Sequence, residues 1–274
     1  MKRLSTTLIL VLLSACGPNE PPAWLGYAEG DIAYVSAPQA GWISKMTVNR
    51  GDWVERGRLL FTLDDTHELA GRDQAAANIG QAEAELAQEK ANLAYTQTEL
   101  NRQAGLARAR AGVPATLDQV LASNRQSKAR IDQLESQIKQ MQAGLTDASY
   151  QLSQRSVTAR THGRVQDILF RTGEYAPAMT PVVSLLPPEN VFVRFFVPEN
   201  EFARIHLGEA VRIFCDGCPQ NLVARVSFIA SQEEFTPPVI FSLSNRAKLV
   251  FKIEARAPGG LKLNPGQPVS VRPV

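Results

Sequence analysis

The chain has 274 residues, a formal net charge of +2 and 20% charged residues, which is typical of a globular protein with room for two or three small domains. It has no basic run interleaved with aromatic residues, which argues against nucleic-acid binding, and no apolar run long enough for a permanent membrane span. It also lacks nucleotide-binding glycine loops and a Gly-x-Ser-x-Gly elbow, so we expect no enzyme activity, metal site or cofactor.

Residues 1–15 are predicted to be a lipoprotein signal peptide. Met1-Lys2-Arg3 is a basic start, and residues 8–13 form an apolar run that is too short to remain as a membrane helix. The following Leu13-Ser14-Ala15-Cys16 resembles the lipobox of bacterial lipoproteins, in which the signal is cleaved before the cysteine and the thiol is lipidated. An ordinary signal peptide with a coincidental cysteine is the alternative.

Lipidation of Cys16 predicts a periplasmic chain that is anchored to a membrane without spanning it. The inner membrane is favoured, although Gly17 is not the aspartate that marks inner-membrane retention in some bacteria, so this motif does not settle the choice. Residues 16–33 are predicted to form a lipidated tether.

An internal repeat flanks the centre of the chain. Residues 37–63 match residues 159–185 without gaps, at a constant offset of 122 residues. The matched positions include Gly41 with Gly163, Gly51 with Gly173, and Trp53 with Tyr175. Each copy has short alternating apolar runs broken by glycine, the pattern of short strands joined by tight turns, and neither copy is long enough to enclose a core.

Residues 65–155, between the two copies, are predicted to form a coiled-coil hairpin of two antiparallel helices. Apolar residues recur every seven positions on both arms, and a second row follows three positions later on the second arm. The rows are Ile79, Leu86, Leu93 and Leu100; Leu117, Ile131, Ile138, Leu145 and Leu152, interrupted by Asn124; and Val120, Leu134, Met141 and Ala148. Such a narrow stripe needs a partner helix, and the other arm is the nearest one.

Capping residues mark the ends of both arms. Asp65-x-x-Glu68 and Thr116-x-x-Gln119 have the spacing of capping boxes. At the bend, Gly112 is expected to take the left-handed cap conformation, and Pro114 is expected to stop the first helix.

Residues 187–274 are predicted to form a small β-barrel. Strand-like runs cover residues 191–197, 210–215, 222–229, 247–255 and 267–271, and residues 198–202 are expected to begin a short helix. Glu233 and Glu234 are adjacent on an extended strand, so their carboxylates point to opposite faces and do not form an acid–base pair.

Cys215-Asp216-Gly217-Cys218 leaves two cysteines beyond Cys16. In an oxidising compartment, a local disulfide across the Asp-Gly turn is the simplest interpretation. Free thiols, a redox pair and a metal site are the alternatives. A redox CxxC usually opens a helix, whereas the flanks here are strand-like, and the three histidines are scattered along the chain: His67, His162 and His206.

The two repeat copies resemble the two halves of the biotinyl/lipoyl-like β-sandwich, here residues 34–64 and 156–186. Carrier domains of that type join their halves by a tight hairpin that holds the modified lysine, whereas here the coiled coil occupies the junction. Lys45-Met46 lies within the first half, and its counterpart in the second copy is Asp167. We therefore expect Lys45 to be a solvated strand residue without a cofactor.

A lipobox, a split lipoyl-like domain, an inserted hairpin and a barrel resemble, in this order, the HlyD-type membrane fusion proteins, which are periplasmic adaptors of tripartite efflux and secretion systems. The resemblance implies an elongated α+β fold, with a split biotinyl/lipoyl-like β-sandwich, an inserted α-helical coiled-coil hairpin and a small β-barrel. It implies a non-catalytic adaptor that links an inner-membrane exporter to an outer-membrane duct. A biotin or lipoate carrier subunit and a structural, envelope-tethering coiled-coil lipoprotein are the alternatives.

The resemblance also implies partners. Many such adaptors dock to a TolC-like outer-membrane duct through an Arg-x3-Leu-x6-Ser pattern at the bend; Arg102 and Leu106 have this spacing, and Val113 replaces the serine. The chain ends too soon after the barrel for a membrane-proximal domain, and residues 235–249 resemble adaptors of ABC-2-type exporters. An ABC exporter is therefore favoured over a major-facilitator one. Protomers are expected to form a homo-oligomeric ring of about six.

Overall fold

The computed structural model describes residues 23–219, 221–235 and 249–274. The predicted signal peptide, Cys16 and residues 17–22 of the predicted tether lie outside these residues, as do residues 236–248, which make up most of the stretch that resembles adaptors of ABC-2-type exporters. The chain divides into two compact units. One is Ala33–Leu185, and the other combines the residues up to Ile32 with Leu186–Val274.

Two long helices divide the described strands into an earlier and a later group. The strands before the helices are β1 (Trp24–Gly30), β2 (Ala33–Ser36), β3 (Gly41–Met46), β4 (Trp53–Val54) and β5 (Leu59–Leu63). The helices α1 (Thr66–Arg108) and α2 (Pro114–Ser153) follow. The later elements are β6 (Ser156–Thr158), β7 (Gly163–Ile168), β8 (Tyr175–Ala176), β9 (Pro181–Leu186), a 3-10 turn (Pro188–Asn190), β10 (Val191–Pro198), α3 (Glu199–Phe202), β11 (Ala210–Phe214), β12 (Leu222–Phe235), β13 (Leu249–Arg256) and β14 (Pro268–Pro273).

The first unit contains a β-sandwich in which each sheet takes strands from both repeat copies. Its sheets have the orders β2-β9-β7-β4 and β6-β5-β3-β8. The offset of 122 residues maps β2, β3, β4 and β5 onto β6, β7, β8 and β9, so the repeat is confirmed strand by strand. Hydrogen bonds repeat too: the Gly51 N–H donates to the Val165 carbonyl and the Gly173 N–H donates to the Ile43 carbonyl, both at 2.8 Å. Neither copy completes its sheets without the other.

Alternating apolar side chains of these strands fill the space between the two sheets. The buried set includes Ile43, Val54, Phe61, Val165 and Val183. Burying one such side chain contributes about 1.5–3 kcal/mol, and because both copies supply these residues, the core forms only when the two halves meet.

The helices α1 and α2 form the predicted antiparallel hairpin between the two halves of the sandwich. The buried apolar residues of α2 all belong to the predicted heptad rows: Ile131, Leu134 and Ile138. The helix starts differ from the predicted capping boxes. The carboxylate that caps α1 belongs to Asp64, which accepts hydrogen bonds from the N–H (3.1 Å) and hydroxyl (2.7 Å) of Thr66, whereas Asp65 makes no side-chain cap bond.

The start of α2 also corrects a prediction. The helix begins at Pro114 rather than at Thr116, and its N-cap residue, Val113, makes no side-chain bond. Proline is favourable in the first turn because its fixed φ suits the helix and its missing N–H has no intrahelical partner there. Pro114 therefore opens the second helix instead of stopping the first.

The second unit is a closed barrel with the strand order β1-β10-β13-β12-β11-β14. Its core contains Val193, Phe195, Ile213, Ile253 and Val271, each at most 2% exposed. The short helix predicted at residues 198–202 is present as α3.

One strand of the barrel corrects the tether predicted for residues 16–33. Residues 24–30 form β1, which pairs with both β10 and β14 and so closes the barrel. Trp24 and Ala28 are buried in its core, and a Cβ at Gly26 would collide with the Arg194 carbonyl oxygen, so this position needs glycine. The tether prediction then applies only to residues before Trp24.

The predicted fold class is confirmed in its parts. The chain has a split β-sandwich, a helical hairpin inserted between its halves, and a small barrel. Both helices join the sandwich at one end of the hairpin, and the bend between α1 and α2 is the other end.

Candidate functional site

The base of the hairpin is fixed to the sandwich by Arg155. Its Nη1 donates to the Ala40 carbonyl (2.9 Å), and its Nη2 donates to Oε1 of Glu68 in the first turn of α1. The Arg155 carbonyl in turn accepts a hydrogen bond from the N–H of Leu63, the last residue of β5 (2.8 Å). The side chains of Arg155 and Glu68 are only 15% and 10% exposed. Both helices are therefore held at one place on the sandwich.

The carboxylates at this base have lowered pKa values. The hydrogen bond from the Arg155 guanidinium lowers the pKa of the Glu68 carboxyl. The hydroxyl and then the amide of Thr66 lower the pKa of Asp64. Both groups are thus negatively charged at neutral pH, which suits the positive end of the helix dipole at the start of α1.

The seam between the helices changes from apolar to polar toward the bend. Asn124 is 2% exposed, and its Nδ2 donates to Thr96 Oγ1 and to Gln97 Oε1, both at 3.3 Å. Asn92 Nδ2 donates to the hydroxyl of Ser127 (3.0 Å). A buried amide at a seam position fixes the register of two helices at a cost in stability. The interruption of the heptads at Asn124 therefore marks this polar layer.

The bend itself is a Schellman motif. The Ala111 N–H donates to the Leu106 carbonyl and the Arg110 N–H donates to the Ala107 carbonyl, both at 3.0 Å. Arg110 has φ of 59°, so it takes the left-handed conformation that was wrongly predicted for Gly112. Gly112 is favoured for a different reason, because a Cβ there would lie only 3.0 Å from the Ala107 backbone nitrogen.

The three residues of the predicted docking pattern lie around this bend. Leu106 is 41% and Val113 is 63% exposed, and the Arg102 side chain is 67% exposed. Arg102 donates to the carboxylate of Glu99, whose pKa is lowered first by a hydrogen bond from Gln103 (2.8 Å) and then by Arg102. Two apolar side chains and one cation are thus accessible at the bend. Docking through them stays a prediction.

Lys45 does not have the setting of a modified carrier lysine. It is an exposed residue of β3, opposite Thr62 of β5. Its counterpart in the second copy, Asp167, forms an ion pair with Arg50. The place where carrier domains hold their lysine, the connection between the two halves, is taken by α1 and α2.

Cys215 and Cys218 lie in the turn that follows β11, with Cα atoms 5.4 Å apart and a disulfide between them. The Cys218 N–H donates to the Cys215 carbonyl (3.3 Å), and Gly217 has φ of 76°, as a tight turn requires. The flanking elements are strands, unlike the helix that usually follows a redox CxxC. These features favour the structural disulfide, whose presence in the cell stays a prediction.

Within residues 23–219, 221–235 and 249–274, no helix has both the length and the apolar character that a membrane crossing requires. The same ranges contain no cluster of three or more His, Cys, Asp or Glu side chains arranged to hold a metal ion.

In the Glu233-Glu234 pair, the Glu234 carboxylate accepts a hydrogen bond from the Lys252 ammonium group at 2.7 Å.

Comparison with known proteins gives distant relatives. No protein-family model matches the chain. The UPF0194 membrane protein in the asrC 5' region of Acidithiobacillus ferridurans is 30% identical over an alignment of 174 residues, and the match covers 62% of this chain and 52% of that relative. A UPF0194 membrane protein of Yersinia pseudotuberculosis is 25% identical over 273 residues, covering 85% of this chain and 83% of the relative. The first of these matches spans about half the length of its relative.

Solved structures share the fold at low sequence identity. MacA from Actinobacillus actinomycetemcomitans matches with a TM-score of 0.67 and 18% identity, covering 91% of this chain and 76% of MacA. The membrane fusion protein Spr0693 from Streptococcus pneumoniae R6 matches with a TM-score of 0.55 and 18% identity, covering 93% of this chain and 99% of Spr0693. The chain therefore has the fold of a membrane fusion protein.

Proposed function

We propose that this protein is a non-catalytic periplasmic adaptor of the HlyD type, which links an inner-membrane exporter to an outer-membrane duct for efflux or secretion. One observation carries the proposal: a helical hairpin is inserted between two interleaved halves of a β-sandwich, and Arg155 fixes its base. The 43 residues of α1 rise about 65 Å, which is long compared with a small domain. The hairpin is thus suited to reach from one partner to another.

The proposed anchor is the lipidated Cys16. Acyl chains would hold the mature chain at the inner membrane, since each buried methylene group contributes about 0.8 kcal/mol. The intact mass of the mature chain tests this proposal. A chain that begins at Cys16 and carries acyl groups supports it, and an unmodified Cys16 contradicts it.

The same mass measurement tests the alternative of a biotin or lipoate carrier. A biotinyl or lipoyl group on any lysine would overturn the adaptor proposal.

The barrel and the bend of the hairpin are each proposed to bind a different partner. The barrel would engage the exporter, which is of the ABC type or alternatively of the major-facilitator type, and the bend would engage a TolC-like duct. Copies of the chain would form a ring of about six, because a heterologous interface that closes gives cyclic symmetry.

Photo-crosslinking in the cell envelope tests the proposal. A photoreactive amino acid at Val113 places the probe at the bend, and one at Leu207, which is 69% exposed, places it on the barrel. Capture of an outer-membrane protein from the bend and of an inner-membrane protein from the barrel is expected. Lys128, an exposed residue in the middle of α2, is the control position. Capture of neither partner from either site would reject the proposal.

A double variant separates docking from folding. Arg102→Asp with Leu106→Asp places two carboxylates at exposed positions, so the circular dichroism spectrum and melting temperature should stay close to those of the wild type. Crosslinking from Val113 to the outer-membrane partner should be lost. If the variant unfolds instead, the two residues contribute to packing and not to docking.

A further inference from the structure

The two helices of the hairpin pair in a fixed register. The side chain of Asn92 contacts that of Ser127 on one side of the seam. On the other side, Lys90 Nζ lies 3.1 Å from Glu135 Oε1. In an antiparallel helix pair, the positions that flank the seam on the same side come together. These contacts therefore assign the exposed positions of both helices to one of two broad faces.

The amide face is the broad face on the side of Asn92. It has exposed glutamines at seven-residue spacing on both helices: Gln74, Gln81 and Gln88 on α1, and Gln126, Gln133 and Gln140 on α2. Between these glutamines, the described charged residues on this face are Glu85 and Arg130, which have opposite signs. Each is bound to a glutamine, since Gln81 donates to Glu85 (3.4 Å) and Arg130 donates to Gln133 (3.0 Å).

The charged face is the opposite broad face, on the side of Lys90. Over the same length of the hairpin it has exposed residues of both signs: Lys90, Arg125, Lys128, Asp132, Glu135 and Lys139. Asp132 lies on the charged face and the next residue, Gln133, lies on the amide face. Lys139 and Gln140 are related in the same way. Each pair therefore compares the two faces at the same height of the hairpin. The chain thus gives two sides of one thin hairpin different chemistry.

We propose that the amide face lines the conduit of the assembled ring and that the charged face points to the surrounding periplasm. The conduit would then pass water-soluble solutes without selecting them by the sign of their charge. This inference rests on the proposed adaptor function, because it requires several copies of the chain side by side.

The physical argument comes from repetition in a ring. Each side chain on the inner surface occurs once per protomer, so one charged residue becomes a ring of like charges that selects and holds ions. Glutamine side chains have both donors and acceptors, so they hydrogen-bond water and polar solutes without adding net charge. Mixed charges that face bulk solution cost little, since their fields are screened within about 8 Å at physiological ionic strength. The amide face therefore fits the inner surface.

Thiol labelling of the full chain in cell envelopes tests the inference. The variants Gln133→Cys and Gln140→Cys place a thiol on the amide face, and Asp132→Cys and Lys139→Cys place one on the charged face at the same heights. All four positions are exposed, so the fold should tolerate them. Each thiol is challenged with a small maleimide and with a maleimide attached to a polyethylene glycol too large for a narrow lumen. Detergent-dissociated protomers are the reference.

The expected result separates the two faces. In envelopes, the large reagent should label Gln133→Cys and Gln140→Cys about tenfold more slowly than in dissociated protomers, while the small reagent still reacts. The rates for Asp132→Cys and Lys139→Cys should change by less than about twofold. Protection of the charged-face thiols instead overturns the inference but leaves the adaptor function standing. Equal labelling of both faces in envelopes contradicts the ring itself, and with it the proposed function.

Discussion

Removing the contact between Arg155 and Glu68 should loosen the base of the hairpin. In Arg155→Met, the Ala40 carbonyl loses its side-chain donor and the Glu68 carboxylate, only 10% exposed, loses its cation. Hydrogen bonds to charged groups contribute about 1.5–3 kcal/mol each, and a covered charge left without a partner adds to the loss. We expect the free energy of opening at the hairpin base to fall by about 3 kcal/mol.

Hydrogen exchange at the Leu63 amide measures this local opening, because that N–H donates to the Arg155 carbonyl at 2.8 Å. Glu68→Gln should lower the free energy of opening by about 2 kcal/mol. The double variant should lower it by about 1–2 kcal/mol less than the sum of the two single variants. Arg72→Met is the matched control. Its ion pair with Asp73 is 40% and 60% exposed, so its loss should change the free energy by less than about 0.5 kcal/mol.

The pH dependence gives an independent check of the same contact. Because the folded pKa of Glu68 is lowered, its stabilising contribution is present above the ordinary carboxyl pKa of about 4.3 and is lost as the pH falls through the lower folded value. Opening at Leu63 should therefore become easier in acid in the wild type, and Glu68→Gln should lack this component. A coupling energy below about 0.5 kcal/mol, with identical pH profiles, would refute the assignment of the contact.

Three further predictions concern other parts of the chain. Leu106→Asp should leave the melting temperature within a few degrees of the wild type but abolish capture of the outer-membrane partner, and a large drop in melting temperature would instead show that Leu106 packs. Gly57→Ala should destabilise by about 1 kcal/mol because Gly57 has φ of 88°, whereas Gly71→Ala in α1 should stabilise by a similar amount; equal effects in urea denaturation would contradict the backbone argument. Cys218→Ser should lower barrel stability by about 2 kcal/mol under oxidising conditions only, and the same loss in the presence of a reductant would exclude the disulfide as its cause.

Features with a short-range sequence pattern were predicted well. The heptad rows placed Ile131, Leu134 and Ile138 at the seam, and the burial of these residues agrees. The repeat at a constant offset predicted the strand correspondence of the sandwich, because similar glycine turns recur at the same spacing in both copies. A local period is visible in one segment and does not require knowledge of its partner.

Features that depend on distant partners were missed. Arg155 and Glu68 meet at the base of the hairpin but lie 87 residues apart along the chain, and nothing in either local sequence indicates their contact. Strand β1 pairs with β10 and β14, which lie far along the chain, so its local sequence predicts a tether and not a barrel strand. The bend shows the limit of residue preferences, because the hydrogen bonds of the Schellman motif place Arg110, not the nearby Gly112, in the left-handed conformation.

The most direct test of the account is electron cryo-microscopy of the assembly purified through this chain from its cell envelope. The account predicts a ring of about six copies, with the barrels at an inner-membrane exporter, the bends around Arg102, Leu106 and Val113 at an outer-membrane duct, and the glutamines of the amide face along the conduit. Monomers without an exporter or a duct, or copies joined through the bends with no conduit between them, would contradict it.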